Sequence, residues 1–400
     1  MMIPFNKTNF TPITLIKSLI CVGSEKKLKQ FFRRYTGKKF VLVTNSCRSA
    51  LYLTYKCLDN KGQVITSPLT CKVAVDPLIA GGFEPLFTDI EKDSLNMSVN
   101  ATERLNDKNV RGIQLIHLGG IPCESEKFKT LADTHGYFLV EDCAQALFGK
   151  RNNTPAGTVG DYVCFSLIKN AKGIGGGILA TNDEALYLKA KKIQDSFPKP
   201  PFTIIFFRII RNILENYRYL RWVNSVYHKL MNSRPKSNKK DDREVLPVEL
   251  KLYQPASLEK RIAWVQIQKS EKLWETRKNN GFQFLNKLHE KKLAVNYQLL
   301  QNVQPSFVKF YIHNKSLKSL ETIEKMHLQG VEAMHLEHKY GVFYQQRFDK
   351  SMPSFQQEIE KNCPNYLEVH DHLATLPFYE ELTAEQMDMI IDSLLKTLDK

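Results

Sequence analysis

The sequence predicts an α/β protein in which helices cover a mainly parallel sheet, and three observations support this prediction. The chain has 400 residues, which is too long for one small core, so we expect a large domain and a smaller one. Hydrophobic residues make up 42% and charged residues 25%, as is ordinary for a globular protein. Short apolar runs alternate with helical stretches between residues 39 and 165, which is typical of strands joined by covering helices. Ligands of such sheets bind beyond the carboxyl ends of the strands, so the chemistry should follow the apolar runs.

The alternation gives the predicted elements in order. The strands are expected at residues 40–43, 63–66, 85–88, 112–117 and 137–140. The helices between them are expected at residues 49–58, 73–80 and 128–135. Two further strands, at 162–167 and 178–181, flank a glycine-rich turn. The pattern becomes helical from about residue 184 and ends in an amphipathic helix over 384–398.

Changes in composition predict four parts of the chain. These are an N-terminal arm (1–38), a large domain (39–195), a basic, aromatic helical insertion (196–248) and a small C-terminal α/β domain (249–400). Within the insertion, basic residues stand among large apolar ones: Arg208, Arg211, Arg218, Arg221 and Lys229. Two interpretations of segment 202–230 stay open. It packs as a helical subdomain on the dimer or the small domain, or it is an amphipathic segment that contacts an anionic membrane surface.

The net charge of +15, from 57 basic and 42 acidic residues, restricts the class of partner. A balance this basic suits nucleic acid, an anionic membrane or anionic small substrates. The sequence has neither zinc-finger spacing nor an aromatic RNA-binding signature, so nucleic acid is not expected. No metal site is expected either.

Cysteine usage and apolar stretches predict a cytoplasmic protein. None of the eight cysteines forms a C-x-x-C pair, so they are expected to be reduced thiols. The apolar stretch 13–22 is interrupted by Lys17 and lacks the small-residue cleavage site of a signal peptide. No run has the roughly 18 apolar residues of a membrane span. If segment 202–230 contacts lipid, the location would be peripheral, at the inner face of the cell membrane.

Three groups of residues could carry chemistry, and each has a structural alternative. Asp142 comes just after the predicted strand 137–140, where a carboxylate needs a positive partner, although an isolated one is more often a helix cap. Segment 45–51 follows the first strand and opens a helix whose positive end suits a phosphate, or is simply capped. Lys169 precedes the glycine-rich turn 173–177; a lysine there suits a nucleophilic amine, although an exposed turn lysine is common.

Together these motifs resemble the DegT/DnrJ/EryC1/StrS family of sugar aminotransferases, in its polysaccharide-biosynthesis branch. The resemblance runs from about residue 38 to 190 and fades beyond it. It is carried by segments 44–51, 64–70, 82–90, 117–122, 141–146, 159–161, 165–166, 176–177 and 181–183. Residues 250–300 and 366–393, notably 376–379, are similar to the family's small domain. The resemblance implies a fold-type I architecture, with a mainly parallel seven-stranded sheet, a smaller C-terminal domain and a homodimer.

The resemblance also implies the cofactor, pyridoxal 5′-phosphate, and the residues around it. Asp142 would pair with the pyridinium nitrogen, and Gln145 would hydrogen-bond the phenolic oxygen of the ring. Lys169 would form the internal aldimine and then carry the proton between the two reacting carbons. The other implied cofactor contacts, around the phosphate and the ring, are Ser46, Cys47, Arg48, Cys71 and Ser166.

The sequence departs from the usual family pattern at several of these positions. Lys169 follows Ser166 by three residues, whereas most members space the pair by five. Lys172 is the competitor, and Lys169 is preferred because it keeps the common distance to the following glycines. Cys47 and Arg48 replace the usual glycine and threonine of the phosphate loop. Cys71 stands where an aromatic residue often covers the ring, and the loop that other members send into the partner subunit is not recognisable near 250–257.

The predicted function is therefore amino transfer from an amino acid, such as glutamate, to the keto group of a nucleotide-linked sugar, for surface polysaccharide or lipopolysaccharide. The first alternative is a sugar-modifying enzyme of another reaction class, such as a dehydratase, although those relatives have histidine in place of Lys169. The second is a non-catalytic regulator or scaffold that retains the fold.

Overall fold

The computed structural model describes residues 2–232, 250–291, 293, 302–335 and 355–398. The end of the predicted insertion, from 233 to 248, lies outside the described residues, as does part of the predicted small domain.

A seven-stranded sheet forms the centre of the structure. In chain order, the strands of this sheet and of two smaller sheets are β1 (Phe40–Thr44), β2 (Gln63–Thr66), β3 (Glu84–Phe87), β4 (Val110–Ile116), β5 (Phe138–Asp142), β6 (Lys150–Arg151), β7 (Thr154–Pro155), β8 (Tyr162–Ser166), β9 (Gly177–Thr181), β10 (Val303–Gln304), β11 (Phe310–His313) and β12 (Leu373–Leu376). The order in the large sheet is β1-β9-β8-β5-β4-β2-β3. Only β9 runs against its neighbours, β1 and β8, and the other observed pairings in this sheet are parallel. The predicted fold class is confirmed.

Helices connect these strands and cover both faces of the sheet. They are α1 (Pro12–Leu19), α2 (Ser24–Thr36), α3 (Cys47–Cys57), α4 (Lys72–Ala80), α5 (Val99–Glu103), α6 (Ser125–His135), α7 (Glu184–Asp195), α8 (Phe202–Asn216), α9 (Arg221–Asn232), α10 (Ser257–Glu290), α11 (Ser319–Leu328), α12 (Gln356–Asn362), α13 (Pro364–Val369) and α14 (Ala384–Leu398). None of the helices within the described ranges is both long enough and apolar enough to cross a membrane. The C-terminal helix has the bounds that the sequence predicted.

Alternation along the strands explains why both faces are covered. In β1, Val41 and Val43 pack into one apolar cluster with α2, and Leu42 packs into another with α3. Side chains of a strand point alternately to opposite faces, so a strand that is apolar at every position needs a layer on each side. The helices that the sequence placed between the strands provide these two layers.

Two boundaries differ from the prediction in ways that concern function. Strand β5 continues to residue 142, two residues beyond the predicted end, because both carboxylates there are held by donors from neighbouring segments. Helix α3 begins at Cys47 and not at Ser49, because the Ser46 hydroxyl accepts the backbone N–H of Ser49 at 3.1 Å and caps the helix.

The C-terminal part packs a small sheet and helices against the large domain. Strands β11 and β12 pair in antiparallel register, and Phe307, Phe310 and Phe378 stack beneath them. The 34-residue helix α10 adds Phe284 to this apolar cluster. This packing brings the residues just before β11 to the carboxyl edge of the large sheet, where Ser306 N–H donates to the Gly120 carbonyl at 2.7 Å.

Candidate active site

One cavity at the carboxyl edge of the parallel strands contains all the predicted site residues. Its volume is about 340 Å³. The lining residues are Asn45, Ser46, Cys47, Arg48, Leu51, Thr70, Cys71, Val73, Ala74, Ile116, His117, Asp142, Ala144, Gln145, Ser166, Ile168, Lys169, Arg208 and Lys251. A larger depression of about 560 Å³ lies at the opposite edge, around Lys38, Lys129 and Asp161, and contains none of the predicted site residues. Position in the sheet and residue chemistry therefore both favour the smaller cavity.

Asp142 is the last residue of β5, and its carboxylate enters the cavity almost fully buried. Its Oδ1 accepts the Ala144 N–H at 2.9 Å, and the Cys47 thiol lies 3.8 Å from the same oxygen. Burial raises the pKa of Asp142 above its usual value, against the Ala144 hydrogen bond and the positive charge of Lys169. A carboxylate held this way gains stabilisation when a cationic N–H reaches it.

Glu141, the preceding residue, faces away from the cavity and has a structural role. It is fully buried and accepts five hydrogen bonds. The donors are His117 Nε2 (3.2 Å), Ser125 Oγ (2.9 Å), Gly157 N (3.3 Å), Val159 N (3.1 Å) and Gly160 N (2.7 Å). Burial acts to raise the pKa of Glu141, but these donors outweigh it and hold the pKa below its usual value. Glu141 thus ties the 157–160 loop to β5, the strand that carries Asp142.

The turn before α3 lies directly against β9. A side chain at Gly177 would place its Cβ 2.3 Å from the Ser46 carbonyl carbon, so only glycine permits this approach. The Ser46 hydroxyl caps α3, as the structural alternative expected, and Ser49 Oγ donates to Asn45 Oδ1 at 2.5 Å. Arg48 also lines the cavity, and its buried Nε has no hydrogen-bond partner among the described residues.

Lys169 and Lys172 occupy different environments although they lie in the same turn. Lys169 is half-buried and lines the cavity. Lys172, with φ at +52°, is buried instead beside Glu380, with its Nζ 3.4 Å from the carboxylate, and donates to the Lys7 carbonyl at 3.0 Å. Arg277 makes a second ion pair with Glu380, at 2.9 Å, and donates to Asn170 Oδ1 at 2.6 Å. The turn is therefore anchored through Lys172 and Asn170, and Lys169 remains directed to the cavity.

Gln145, Ser166 and Cys71 complete the predicted set. The Gln145 amide is buried, and its Oε1 has no partner among the described residues. The Ser166 hydroxyl, at the end of β8, accepts the Ile168 N–H at 3.4 Å. Cys71 precedes α4 and lines the cavity, so a thiol stands where the family often has an aromatic side chain.

Sequence reasoning missed three cationic residues at this site. Arg208, from α8, and Lys251 line the cavity directly. Lys309 lies within electrostatic range of Cys71 and Lys169, and burial together with the Lys169 charge lowers its pKa. No local pattern signals these residues, because each reaches the site from a segment distant in sequence. Only Arg208 has an observed acidic partner, Glu259.

The donor set fits pyridoxal 5′-phosphate. A buried carboxylate is present for a cationic ring nitrogen, in Asp142. Gln145 Oε1 and Arg48 Nε are buried without a partner among the described residues, so an acceptor and a donor are available to a ligand. Lys169 supplies a primary amine in the same cavity. His117, Glu141 and Cys143 could also be considered as metal ligands, but Glu141 is fully occupied by protein donors.

The part of the chain that contributes most of the cavity residues is similar to known proteins. Residues 16–198 match the model of the DegT/DnrJ/EryC1/StrS aminotransferase family. This part of the chain is therefore similar in sequence to that family. The resemblance carried by the motifs is thereby confirmed, and the matched span contains the predicted site residues from Ser46 to Lys169.

Individual curated proteins are similar to this chain over a comparable extent. The spore coat polysaccharide biosynthesis protein SpsC of Bacillus subtilis is 33% identical over 175 residues, which are 42% of this chain and 45% of that protein. The GDP-perosamine synthase of Vibrio cholerae is 29% identical over 157 residues, or 38% of this chain and 43% of that protein. The chain thus matches these curated relatives over about half of their length.

The fold extends the likeness over the whole chain. The Helicobacter pylori aminotransferase PseC, involved in the biosynthesis of pseudoaminic acid, superposes with a TM-score of 0.71. The superposition covers 100% of both chains at 19% sequence identity. At that identity the likeness shows the fold alone, and it is the fold-type I architecture that the family resemblance implied.

Proposed function

We propose that the chain is a pyridoxal-phosphate-dependent aminotransferase that converts the keto group of a nucleotide-linked sugar to an amine, for surface polysaccharide or lipopolysaccharide. One observation carries the proposal: a single cavity at the carboxyl edge of the sheet gathers Asp142, Gln145, Ser166, Lys169 and the 46–48 turn. These are the residues that the family resemblance selected by position. The names of the relatives, a perosamine synthase and a coat polysaccharide protein, support a sugar substrate.

The cavity residues divide the work of holding the cofactor. The bound cofactor supplies an electron-withdrawing ring that stabilises negative charge on the reacting carbon. Asp142 accepts a proton-bearing ring nitrogen and keeps it protonated. Gln145 would orient the ring through its phenolic oxygen, and Cys71, which lines the same cavity, would face the ring. Ser46, Cys47, Arg48 and Ser166 hold the phosphate, with Arg48 adding a charge-assisted contact.

Lys169 has two roles in this proposal. Its amine would hold the cofactor covalently, and Nζ would then be placed to move a proton to and from the donor carbon. The contacts of Asn170 and Lys172 hold the turn on either side of the cavity-lining Lys169. Lys169 is thus the proposed Schiff-base residue, in preference to Lys172, whose amine is already paired with Glu380.

The charge of the cavity favours an anionic substrate. Arg48, Lys169 and Lys251 line it with Asp142 as the single acidic lining residue among those described, and Lys309 lies beside it. Such a field attracts a diphosphate-bearing sugar and the carboxylate of an amino-acid donor such as glutamate. The proposal includes a homodimer in the cytoplasm, as the family implies, and a peripheral contact of residues 202–230 with anionic lipid.

The proposal is tested by the first half-reaction, in which an amino acid gives its amino group to the cofactor and leaves as a keto acid. Protein loaded with pyridoxal phosphate is mixed with glutamate and with other amino acids, without sugar, and the keto acid formed is measured. We expect about one equivalent of keto acid per cofactor-loaded site, and nitrogen transfer to a nucleotide keto sugar added later. Bound cofactor with no keto acid from any amino acid would indicate a regulator or scaffold. Sugar conversion without nitrogen transfer would indicate another reaction class.

Asp142→Asn is expected to weaken cofactor binding and to slow the reaction. A charge-assisted hydrogen bond contributes about 1.5–3 kcal/mol, so affinity should fall on the order of tenfold to a hundredfold. Cofactor affinity measured by fluorescence titration, alongside the keto acid assay, checks this. Asp133→Asn, at an exposed position on α6, is the matched control and should change neither. Equal cofactor affinity in the two variants would remove Asp142 from the proposed ring contact.

Lys309→Met is expected to raise KM for the anionic substrates on the order of tenfold, with a smaller effect on kcat. The lowered pKa of Lys309 reflects a partly desolvated amine near Lys169, which an anionic substrate group would stabilise. Steady-state kinetics with donor and sugar varied in turn shows which substrate the amine contacts. Lys315→Met, a change to an exposed lysine, is the control. An unchanged KM for both substrates would exclude a binding role for Lys309.

A further inference from the structure

Exposed large apolar side chains are concentrated in two segments of the described chain. The first is residues 13–22 and the second is residues 202–226. The exposed members are Ile13, Ile16, Leu19, Ile20, Val22, Phe202, Phe206, Phe207, Tyr217, Tyr219, Leu220, Trp222 and Val226. Phe202 is 77% exposed, Ile20 76% and Trp222 68%, so these side chains extend into solvent. A contiguous apolar patch on a surface usually marks a site of interaction.

The two segments adjoin each other. Phe10, just before α1, packs with Ile205 of α8 and Ile262 of α10 in one small core. The Thr8 hydroxyl donates to the Asn212 carbonyl of α8 at 2.8 Å. Leu15 of α1 and Ile209 of α8 pack against this same core, so both helices cover it. We call the exposed side chains of residues 13–22 and 202–226 the apolar face.

The charges on this face differ from what the sequence suggested. Arg208 and Arg218 turn inward, where they form ion pairs with Glu259 and Glu332. Exposed cations on or beside the face, among the described side chains, include Lys17, Lys199 and Lys229. Acidic residues are scarce in sequence too, since none precedes Glu25 and Glu215 is the only one in 202–230. The face is therefore apolar with a basic rim.

We propose that the apolar face docks peripherally on an anionic phospholipid bilayer. Helices with aromatic and aliphatic side chains on one side and lysines at the edge lie in the interface of such membranes. Trp222 and Phe202 suit the level of the lipid headgroups, and Lys17 and Lys229 suit anionic lipids. A second copy of the chain fits less well, because a twofold interface would bring the same lysines together without acidic partners. The proposal does not rest on the aminotransferase activity.

The docking surface and the cavity share helix α8. Arg208 lines the cavity from the inner side of α8, while Phe206 and Phe207 are exposed on its outer side. An α-helix with its side chains is about 10 Å across. When the apolar face is docked, the cavity therefore lies on the order of 10 Å from the bilayer surface, where it could receive substrate held at the membrane.

Vesicle flotation with the full-length, cofactor-loaded protein tests the proposal. We expect the protein to float with vesicles of phosphatidylglycerol and phosphatidylcholine, and much less with phosphatidylcholine alone. The triple variant Ile16→Ser, Phe202→Ser, Phe206→Ser should bind at least about tenfold more weakly. Lys17→Gln and Lys229→Gln should each weaken binding to the anionic vesicles about fivefold, and added salt should mimic this effect. Leu320→Ser with Leu328→Ser, both exposed on α11, should leave binding unchanged.

Two results would overturn the proposal. One is wild-type protein that fails to float with anionic vesicles; the other is a triple variant that floats as well as wild type. Light scattering on the same samples detects a dimer that is lost in the triple variant, which would assign the face to a contact between copies. Unchanged cofactor content in the variants shows that they are folded, and keeps failure of docking separate from failure of the proposed activity.

Discussion

Lys169→Ala is expected to abolish amino transfer and covalent attachment of the cofactor. Lys169 is the only lysine of the 166–177 turn whose side chain lines the cavity. General acid–base catalysis by a positioned side chain typically contributes on the order of 10²–10⁴ in rate, and loss of the covalent bond adds to this. Keto acid production from glutamate, measured at saturating cofactor, should fall by at least that factor. Added small primary amines should restore part of it.

Lys172→Arg is the matched variant in the same turn. It keeps a positive charge opposite Glu380. Burial acts to raise the pKa of that carboxyl, but the charges of Lys172 and Arg277 hold the pKa below its usual value. We expect near wild-type keto acid production, with some loss of thermal stability. If Lys172→Arg lost the activity and Lys169→Ala kept it, the assignment of the two lysines would be reversed.

Glu141→Gln is expected to destabilise the protein by about 3–5 kcal/mol, the usual effect of breaking a buried charged network. The carboxylate accepts five hydrogen bonds in a fully buried position, and a glutamine cannot accept all of them. Urea unfolding followed by circular dichroism measures the change. Glu184→Gln, at an exposed position in the first turn of α7, serves as the control and should have a small effect. A loss below about 1 kcal/mol would show that the network is not needed for stability.

The same carboxylate predicts an acid limit of stability. The pKa of Glu141 is held below the usual value of a glutamate, so its stabilising contribution is complete above that usual value. This stabilising contribution is lost as the pH falls through the lowered pKa, because the unfolded state has the higher pKa and binds the proton more tightly than the folded state does. The stability difference between wild type and Glu141→Gln should therefore be constant above about pH 5 and shrink at lower pH. A difference that grew in acid would contradict this sign.

The sheet was predictable from the sequence because its strands are short, mainly apolar runs and its helices follow them in regular order. The ends of strands were less predictable. The sequence predicted the end of β5 at Val140, before the two acidic residues, whereas the observed strand includes both. The structure keeps them there because donors from the 157–160 loop and from Ala144 reach the two carboxylates. Such partners come from other segments, so a strand's own residues do not reveal them.

Only the part of the cavity that is formed at the ends of the large sheet's strands was predictable from the sequence. Asp142, Gln145 and Ser166 follow strands of the large sheet, so their convergence follows from topology. Arg208 and Lys309 reach the same place from α8 and from the segment before β11, and nothing local marks them. The choice between Lys169 and Lys172 also depended on a distant residue, Glu380. The domain boundaries remain predictions.

The most direct test of the central claim is to locate the lysine that bonds to the cofactor. Protein loaded with pyridoxal phosphate is reduced with borohydride, digested and mapped by mass spectrometry, and Asp142→Asn is treated in parallel. The cavity predicts the cofactor mass on Lys169, with lower occupancy in the Asp142 variant. The mass on Lys172, or on no lysine of the 166–177 turn, would contradict it.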